Sequence, residues 1–254
     1  MDTSDLDVVY LVKRGYRNEE LRYSLRTLDK NFPHRSVWFY GGCPSGIKPD
    51  HYVHMTQNGP TKWANTGSML RAVAENDELS DKFVLFNDDF FVMKPIREFP
   101  YYCWGTLPEQ IHRIEEANHS GSAYTLRLKN TLVELLKEGN GIVNYELHVP
   151  FIFDRKKLAE MFNSCPRGLA SRTLYGNRYK VGGEELADPK LHGPAHKRIP
   201  EDPTFLSTDD RAFAFGQVGR EIRKTFQKPS RFEYQLWYNW DSSHLDELPK
   251  HEYT

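Results

Sequence analysis

The sequence predicts an α/β fold, a mostly parallel sheet with flanking helices in a Rossmann-like nucleotide-binding arrangement. Three observations predict it. Short apolar runs alternate with helical-period segments over residues 1–97, the signature of a parallel sheet with right-handed crossovers. Phe83-Val84-Leu85-Phe86 is an uninterrupted apolar run, as in a strand buried on both faces. The chain of 254 residues is long enough for one large domain with a substantial core.

The elements follow in order. Asp7-Val8-Val9-Tyr10-Leu11-Val12 reads as the first strand, with Gly15 punctuating the turn after it. Asn18 is the expected N-cap of a helix, and Glu19 and Glu20 sit in its first turn, where the helix dipole favours acids. Leu21, Leu25 and Leu28 recur at helical spacing up to Asn31-Phe32-Pro33. Ser36 to Tyr40 is a second strand stopped by Gly41-Gly42, and Tyr52 to Met55 a short third. Thr66 to Glu75 reads as a helix leading into the strand at Phe83. Beyond Pro95 the spacing predicts a helix over Leu126 to Lys137, stopped by Gly139-Asn140-Gly141, then a strand over Ile142 to Leu147 delivering His148. A further helix covers Asp154 to Phe162. Pro166 to Pro203 is rich in Gly and Pro and reads as long surface loops, Phe205 to Phe226 as helix, and Phe232 to Trp240 as an aromatic tail packed on the body.

A strand ending in Asn87-Asp88-Asp89 calls for an explanation. Adjacent carboxylates repel each other, and burying either one unpaired is costly. A solvated turn would remove both difficulties. So would a divalent cation, and the carboxyl end of a strand is where open α/β sheets bind ligands. Hard oxygen ligands suit Mg²⁺ or Mn²⁺, which makes Asp88 and Asp89 the expected metal ligands. No Gly-rich phosphate loop of the Walker or dinucleotide type is present.

Composition narrows the classes. A formal net charge of −1 argues against sequence-independent nucleic-acid binding as the main activity. Cys43, Cys103 and Cys165 are too few and too scattered for a disulfide framework or a zinc site. The acidic start Met1-Asp2-Thr3-Ser4-Asp5 lacks signal-peptide character, and no apolar stretch approaches the roughly 20 residues needed to span a bilayer. A cytoplasmic location is therefore expected, and the sequon at Asn118 carries little weight. Local charge is concentrated between Cys165 and Arg198, where Arg167, Arg172, Arg178, Lys180, Lys190, Lys197 and Arg198 outnumber Glu184, Glu185 and Asp188. This stretch reads either as a solvated surface or as one that receives an anionic acceptor.

Several segments together resemble one family. They are Asp7-Val8-Val9-Tyr10, the run Asn18-Glu19-Glu20-Leu21-Arg22-Tyr23-Ser24-Leu25-Arg26-Thr27-Leu28, and Leu85-Phe86-Asn87-Asp88-Asp89-Phe90-Phe91. His148-Val149-Pro150 with Asp154-Arg155 follows, and then Thr208-Asp209-Asp210 with Phe213-Ala214-Phe215. In this order they resemble the Stealth proteins, which include bacterial capsule sugar-phosphate transferases and the lysosomal-enzyme N-acetylglucosamine-1-phosphotransferase. The resemblance implies a nucleotide-sugar donor, Mg²⁺ or Mn²⁺, and transfer of a sugar phosphate to an acceptor hydroxyl on a polysaccharide, protein or modified nucleic acid. It makes His148, Asp89 and Asp210 the expected catalytic residues, with His148 as general base. Tyr10, Arg22, Asn87, Asp88 and Arg155 would bind the donor, the arginines through phosphate oxygens. Residues 1–97 would be the nucleotide-sugar half and 98–254 the acceptor side of a single catalytic domain.

Alternatives remain at this stage. His148 could be a hydrogen-bonded core histidine, Arg22 could pair with a carboxylate such as Glu19, and Asp209-Asp210 could simply begin a helix. The chain also departs from the family pattern. Val12 and Arg14 stand where the family has Trp and Asn, and Leu206-Ser207 stands where its sugar-phosphate transferases carry an Arg, leaving His196, Lys197 or Arg198 of the preceding loop as its candidate substitutes. A GT-A glycosyltransferase using Asp88-Asp89 and releasing nucleoside diphosphate is the main alternative. A non-catalytic carbohydrate- or nucleotide-binding protein and a metal-dependent phosphohydrolase rank lower.

Overall fold

The structure is a computed structural model that describes residues 2–117, 121–194 and 199–234. Its chain order is β1 (Asp7–Val12), α1 (Glu19–Asn31), β2 (Val37–Gly41), β3 (His51–His54), α2 (Lys62–Glu75), β4 (Lys82–Phe86) and β5 (Phe90–Val92). Next come β6 (Tyr102–Cys103), α3 (Leu107–Glu116), α4 (Ala123–Lys137), β7 (Phe151–Asp154), α5 (Arg155–Ser164) and α6 (Ser171–Arg178). The remaining elements are β8 (Glu184–Glu185), β9 (Lys190–Leu191), β10 (Phe205–Thr208), α7 (Asp210–Phe215) and α8 (Gln217–Thr225). The fold is α/β, with a central sheet ordered β3-β2-β1-β4-β7. Its first four strands are parallel and β7 runs antiparallel to β4.

Alternation along the strands divides the core. Val8, Tyr10, Val12, Val84 and Phe86 face Leu21, Leu25 and Leu28 of α1. Val9, Phe83 and Leu85 face the opposite way, onto Met69, Leu70 and Val73 of α2 and Leu158 and Met161 of α5. A second sheet, β5-β10-β9, leaves the end of β4 and continues the chain past the acid pair. Phe90 and Val92 of β5 join the α1 core, whereas Phe91 turns to a third cluster with Phe213, Val218 and Ile222 of α7 and α8.

Three local expectations are corrected. Ile142 to Leu147 forms no ladder, only an isolated bridge between Thr106 and Val143. The backbone of Trp104 to Leu107 bonds it on one edge, and side chains of α6 take the place of a strand on the other. Asn177 brackets Val143 N and O at 2.9 and 2.8 Å, and Thr173 accepts from Tyr145 N. The strand comes later, as β7. Phe205 to Phe226 opens with β10 and then forms two short helices separated at Gly216. The stretch from Pro166 to Pro203 contains α6, whose residues Arg172 to Asn177 are all buried. A helix enclosed on all sides lacks the amphipathic period that reveals surface helices. The sequence reading also overlooked α3, although its capping box, Thr106 with Glu109, has a readable spacing. Of the expected aromatic tail, Phe232 is buried and residues 235–240 lie outside the described residues, as do Asn118, His196, Lys197 and Arg198.

Candidate active site

Strand order reverses between β1 and β4, since β2 and β3 lie to one side of β1 and β4 to the other. The carboxyl ends of β1 and β4 therefore open the crevice in which doubly wound sheets bind ligands. Two parts of the sequence meet there. Asn18 caps α1 by accepting from Leu21 N at 2.9 Å, and its amide Nδ2 donates to Asp88 Oδ2 at 2.6 Å. The residue that starts the helix thus also fixes the first acid.

A cleft of about 390 Å³ follows, lined by Glu20, Asp88, Asp89, Lys190, Thr208, Asp209, Asp210 and Arg211. Its acids are under-compensated. Burial, with the neighbouring Asp89 charge, pushes the Asp88 carboxyl up to about 6 despite the bond from Asn18. Burial pushes Glu20 up to about 9; the Thr208 hydroxyl, donating to Glu20 Oε1 at 2.7 Å, opposes this, while the charges of Asp89, Asp210 and Asp88 add to it. One Asp89 oxygen is paired with Lys190 Nζ, and the other, Oδ1, is buried without a partner. Asp209 is the N-cap of α7, accepting from Ala212 N and from Gly193 N, so it serves the backbone. Asp210, in the first turn of α7, is exposed to the cleft.

These oxygens suit a hard divalent cation, given the orphaned Asp89 Oδ1 and the burial, with mutual repulsion, that keeps Asp88 and Glu20 protonated above the usual range. Among the described residues, however, no three His, Cys, Asp or Glu side chains form a ready-made cage. One or two carboxylates completed by water and substrate phosphates is the mode usual for Mg²⁺.

The raised acids carry a pH signature. Glu20 binds its proton more tightly in the folded chain than in the unfolded one. Its contribution is therefore complete below the ordinary carboxylate range and is lost as pH rises towards about 9. Glu20→Gln is expected to match the parent in thermal stability near pH 4 and to exceed it by about 1 kcal/mol or more at pH 9 without divalent cation. Equal melting differences at both pH values would contradict the assignment.

His148 meets the buried Phe90 ring edge-on at a centroid distance of 6.4 Å. Asp188 fixes it twice, accepting from His148 N at 3.1 Å and meeting Nδ1 at 2.8 Å. A carboxylate acceptor at Nδ1 places the proton there and leaves the Nε2 lone pair free. Burial works against the Asp188 charge, but the His148 contacts and the Lys190 N–H outweigh it and hold this carboxyl below its usual range. Arg172 ties the two loops together. Its buried guanidinium donates to Leu147 O at 2.6 Å, Val149 O at 3.2 Å and Asn87 Oδ1 at 3.2 Å.

The other expected donor residues divide. Asn87 is in the site's framework, held by Arg172. Tyr10 is fully buried, with Oη 2.9 Å from Ser24 Oγ and its ring against Phe39 and Phe86, so it supports the cleft from below and presents no surface to a ligand. Arg22 lies 3.7 Å from Glu233, its partner in place of Glu19. Arg155 is at the wrong end of the sheet. Because β7 is antiparallel, Asp154 pairs with Lys82, and Arg155 N donates to Asp81 O at the start of β4, roughly 17 Å of strand from the acid pair. Part of the basic stretch from Cys165 to Arg198 is corrected likewise, although its Lys190 lines the cleft and Lys197 and Arg198 lie outside the described residues. Arg172 is buried, Arg178 is paired with Glu138, and the Tyr175 and Tyr179 hydroxyls bond backbone of β7 and α5. Glu20 and Asp188 are site residues to which the sequence reading gave no site role, and Lys190 entered it only as one cation of the basic stretch.

No family model matches the chain. An exopolysaccharide phosphotransferase of Streptomyces coelicolor is 23% identical to it over 170 residues, covering 60% of this chain and 29% of that protein. The chain therefore spans less than a third of the length of this relative. Among the described residues no helix is long and apolar enough to cross a membrane.

Proposed function

We propose that the chain is a divalent-metal-dependent transferase that moves a sugar phosphate from a nucleotide-sugar donor to an acceptor hydroxyl. One juxtaposition carries this reading. The carboxylate that orients the His148 imidazole lies two residues before Lys190, itself in the wall of a cleft of under-compensated acids at the switch point of an α/β sheet. The similarity to an exopolysaccharide phosphotransferase supports the same chemical class.

In this reading the donor pyrophosphate lies in the cleft at the start of α1, against the acids Asp88 and Asp89 whose cation would offset its charge. Mg²⁺ or Mn²⁺, when held at Asp88 and Asp89, neutralises charge on the phosphate oxygens. Asn18 fixes Asp88, and Arg172 fixes Asn87. His148 Nε2 takes the proton of the acceptor hydroxyl, and Asp188 stabilises the imidazolium that results. The acceptor oxygen bonds to the phosphorus bearing the sugar, and the oxygen bridging to the nucleoside monophosphate leaves with its electron pair. Asp210, exposed to the cleft, would accept from sugar hydroxyls in this reading. Residues 1–97 supply the cation ligands of the donor site, and the later half supplies the base, the acceptor side and the remaining walls of the cleft.

Sugar transfer with release of nucleoside diphosphate is the second reading. It is favoured by Leu206 and Ser207, which are buried in β10 and place no guanidinium beside the pyrophosphate. Mass spectrometry after incubation with a panel of nucleotide sugars, Mn²⁺ and a polysaccharide acceptor separates the two. Nucleoside monophosphate is the expected product. Accumulating diphosphate would replace phosphotransfer by glycosyl transfer, and binding without turnover of any donor would favour a non-catalytic role.

A further inference from the structure

We propose that Lys190 is a phosphate-binding residue of this cleft, its ammonium held on Asp89 until a phosphate group arrives. The inference rests on the reading above, because it names the group that receives the donor's pyrophosphate.

The placement of Lys190 is specific. Its side chain is 11% exposed and that of Asp89 17%, so the pair is largely removed from water. Buried ion pairs are poor sources of stability, since desolvation offsets much of the attraction. This one is also incomplete as a structural bond. Lys190 Nζ meets one Asp89 oxygen and the Thr208 carbonyl, leaving Asp89 Oδ1 buried and unpartnered. The other basic residue among the described walls of the cleft, Arg211, is exposed on α7.

The backbone explains how the ammonium reaches its position. Lys190 begins β9 and is in register with Ser207 of β10, next to Thr208. Two residues earlier, Asp188 holds His148. One short segment therefore supplies the carboxylate that orients the base and the cation that faces the acids. An ammonium on a flexible stem, with three rotatable donors, can pass from a carboxylate oxygen to a phosphate oxygen by a change of rotamer. Charge-assisted bonds of this kind favour phosphate where the donor is already desolvated. While it stays on Asp89, the same ammonium competes with any divalent cation for that carboxylate.

The test uses Lys190→Met and Lys190→Arg in the full chain, with two probes read by calorimetry: Mn²⁺ alone, and inorganic pyrophosphate in saturating Mn²⁺. Lys190→Met is expected to bind Mn²⁺ alone more tightly, because a competing cation is gone. It is expected to bind pyrophosphate about 10- to 100-fold more weakly, as for loss of one charged hydrogen bond. Lys190→Arg should retain most of the pyrophosphate affinity. A lysine that merely neutralises Asp89 gives tighter Mn²⁺ binding with unchanged or improved pyrophosphate binding, and that pattern overturns the proposal. If Lys190→Met fails to fold, Lys190→Gln is held to the same two readings. A parent protein that binds no pyrophosphate with Mn²⁺ removes both this proposal and the functional reading. A parent that binds it, with variants that lose nothing, removes the role of Lys190 alone.

Discussion

Replacing Asp89 by asparagine is expected to reduce turnover by at least about 10²- to 10³-fold, the scale seen when one group that stabilises transition-state charge is removed. Asparagine preserves shape and removes only the charge. Asp89 is the acid with a buried, unpartnered oxygen in the cleft, and its other oxygen holds Lys190. The substitution therefore strips the cleft of its best available ligand and leaves an ammonium without its counter-charge. A modest loss of stability should accompany the kinetic defect. Asp88→Asn is expected to behave differently on stability. It removes the charge whose burial, with repulsion from Asp89, pushes Asp88 up to about 6, while Asn18 can still donate to the amide oxygen. Turnover should fall and the melting temperature should hold or rise. Arg155→Ala is the control, because its side chain lies at the other end of the sheet beside Asp81; its kinetics should match the parent. Steady-state rates with and without excess chelator check the assignment. Full activity in chelator, or an Asp89→Asn protein near parental turnover, would remove the cation from the chemistry.

What the sequence disclosed and what it withheld follow from contact range. Strand β1, the helix of Asn18 to Asn31 and the acid pair after Phe86 are set by neighbours in the chain. An apolar run, an N-cap and a period of leucines are local signals, and the structure places them as read. The partners that turn these elements into a site are remote. Asp188 lies 40 residues from His148, Lys190 101 residues from Asp89, and Thr208 188 residues from the Glu20 it bonds. Glu20 satisfied the local rule for a first-turn acid, and that rule concealed its second role in the cleft. Arg172 was misread for the opposite reason. In a sequence of mixed charge it resembles a solvated cation, whereas its guanidinium is buried against two carbonyls and Asn87. Arg155 failed on strand direction, since antiparallel pairing of β7 carried it away from the cleft, and spacing alone could not reveal that.

His148→Ala is expected to lower turnover by roughly 10² to 10⁴, the usual range for loss of a positioned general base. Binding of nucleotide or pyrophosphate should be almost unchanged, because the imidazole serves the acceptor hydroxyl and is not among the cleft's walls. The Asp188 contact gives the prediction a second arm. Asp188 accepts from the backbone N–H of His148 as well as meeting Nδ1, so it sets both loop and ring. Asp188→Asn keeps a side chain of the same shape, but its amide can donate to Nδ1. That favours the tautomer with the proton on Nε2, which cannot accept from a hydroxyl. Turnover should therefore fall in Asp188→Asn with little change in donor affinity. The double variant should be scarcely slower than His148→Ala, since the two groups act as one unit. Added imidazole should partly restore His148→Ala if a base is what was lost. A histidine that merely braces Phe90 and its own loop would behave otherwise. Its removal would lower the melting temperature, leave the specific activity of the folded protein intact, and show no response to imidazole.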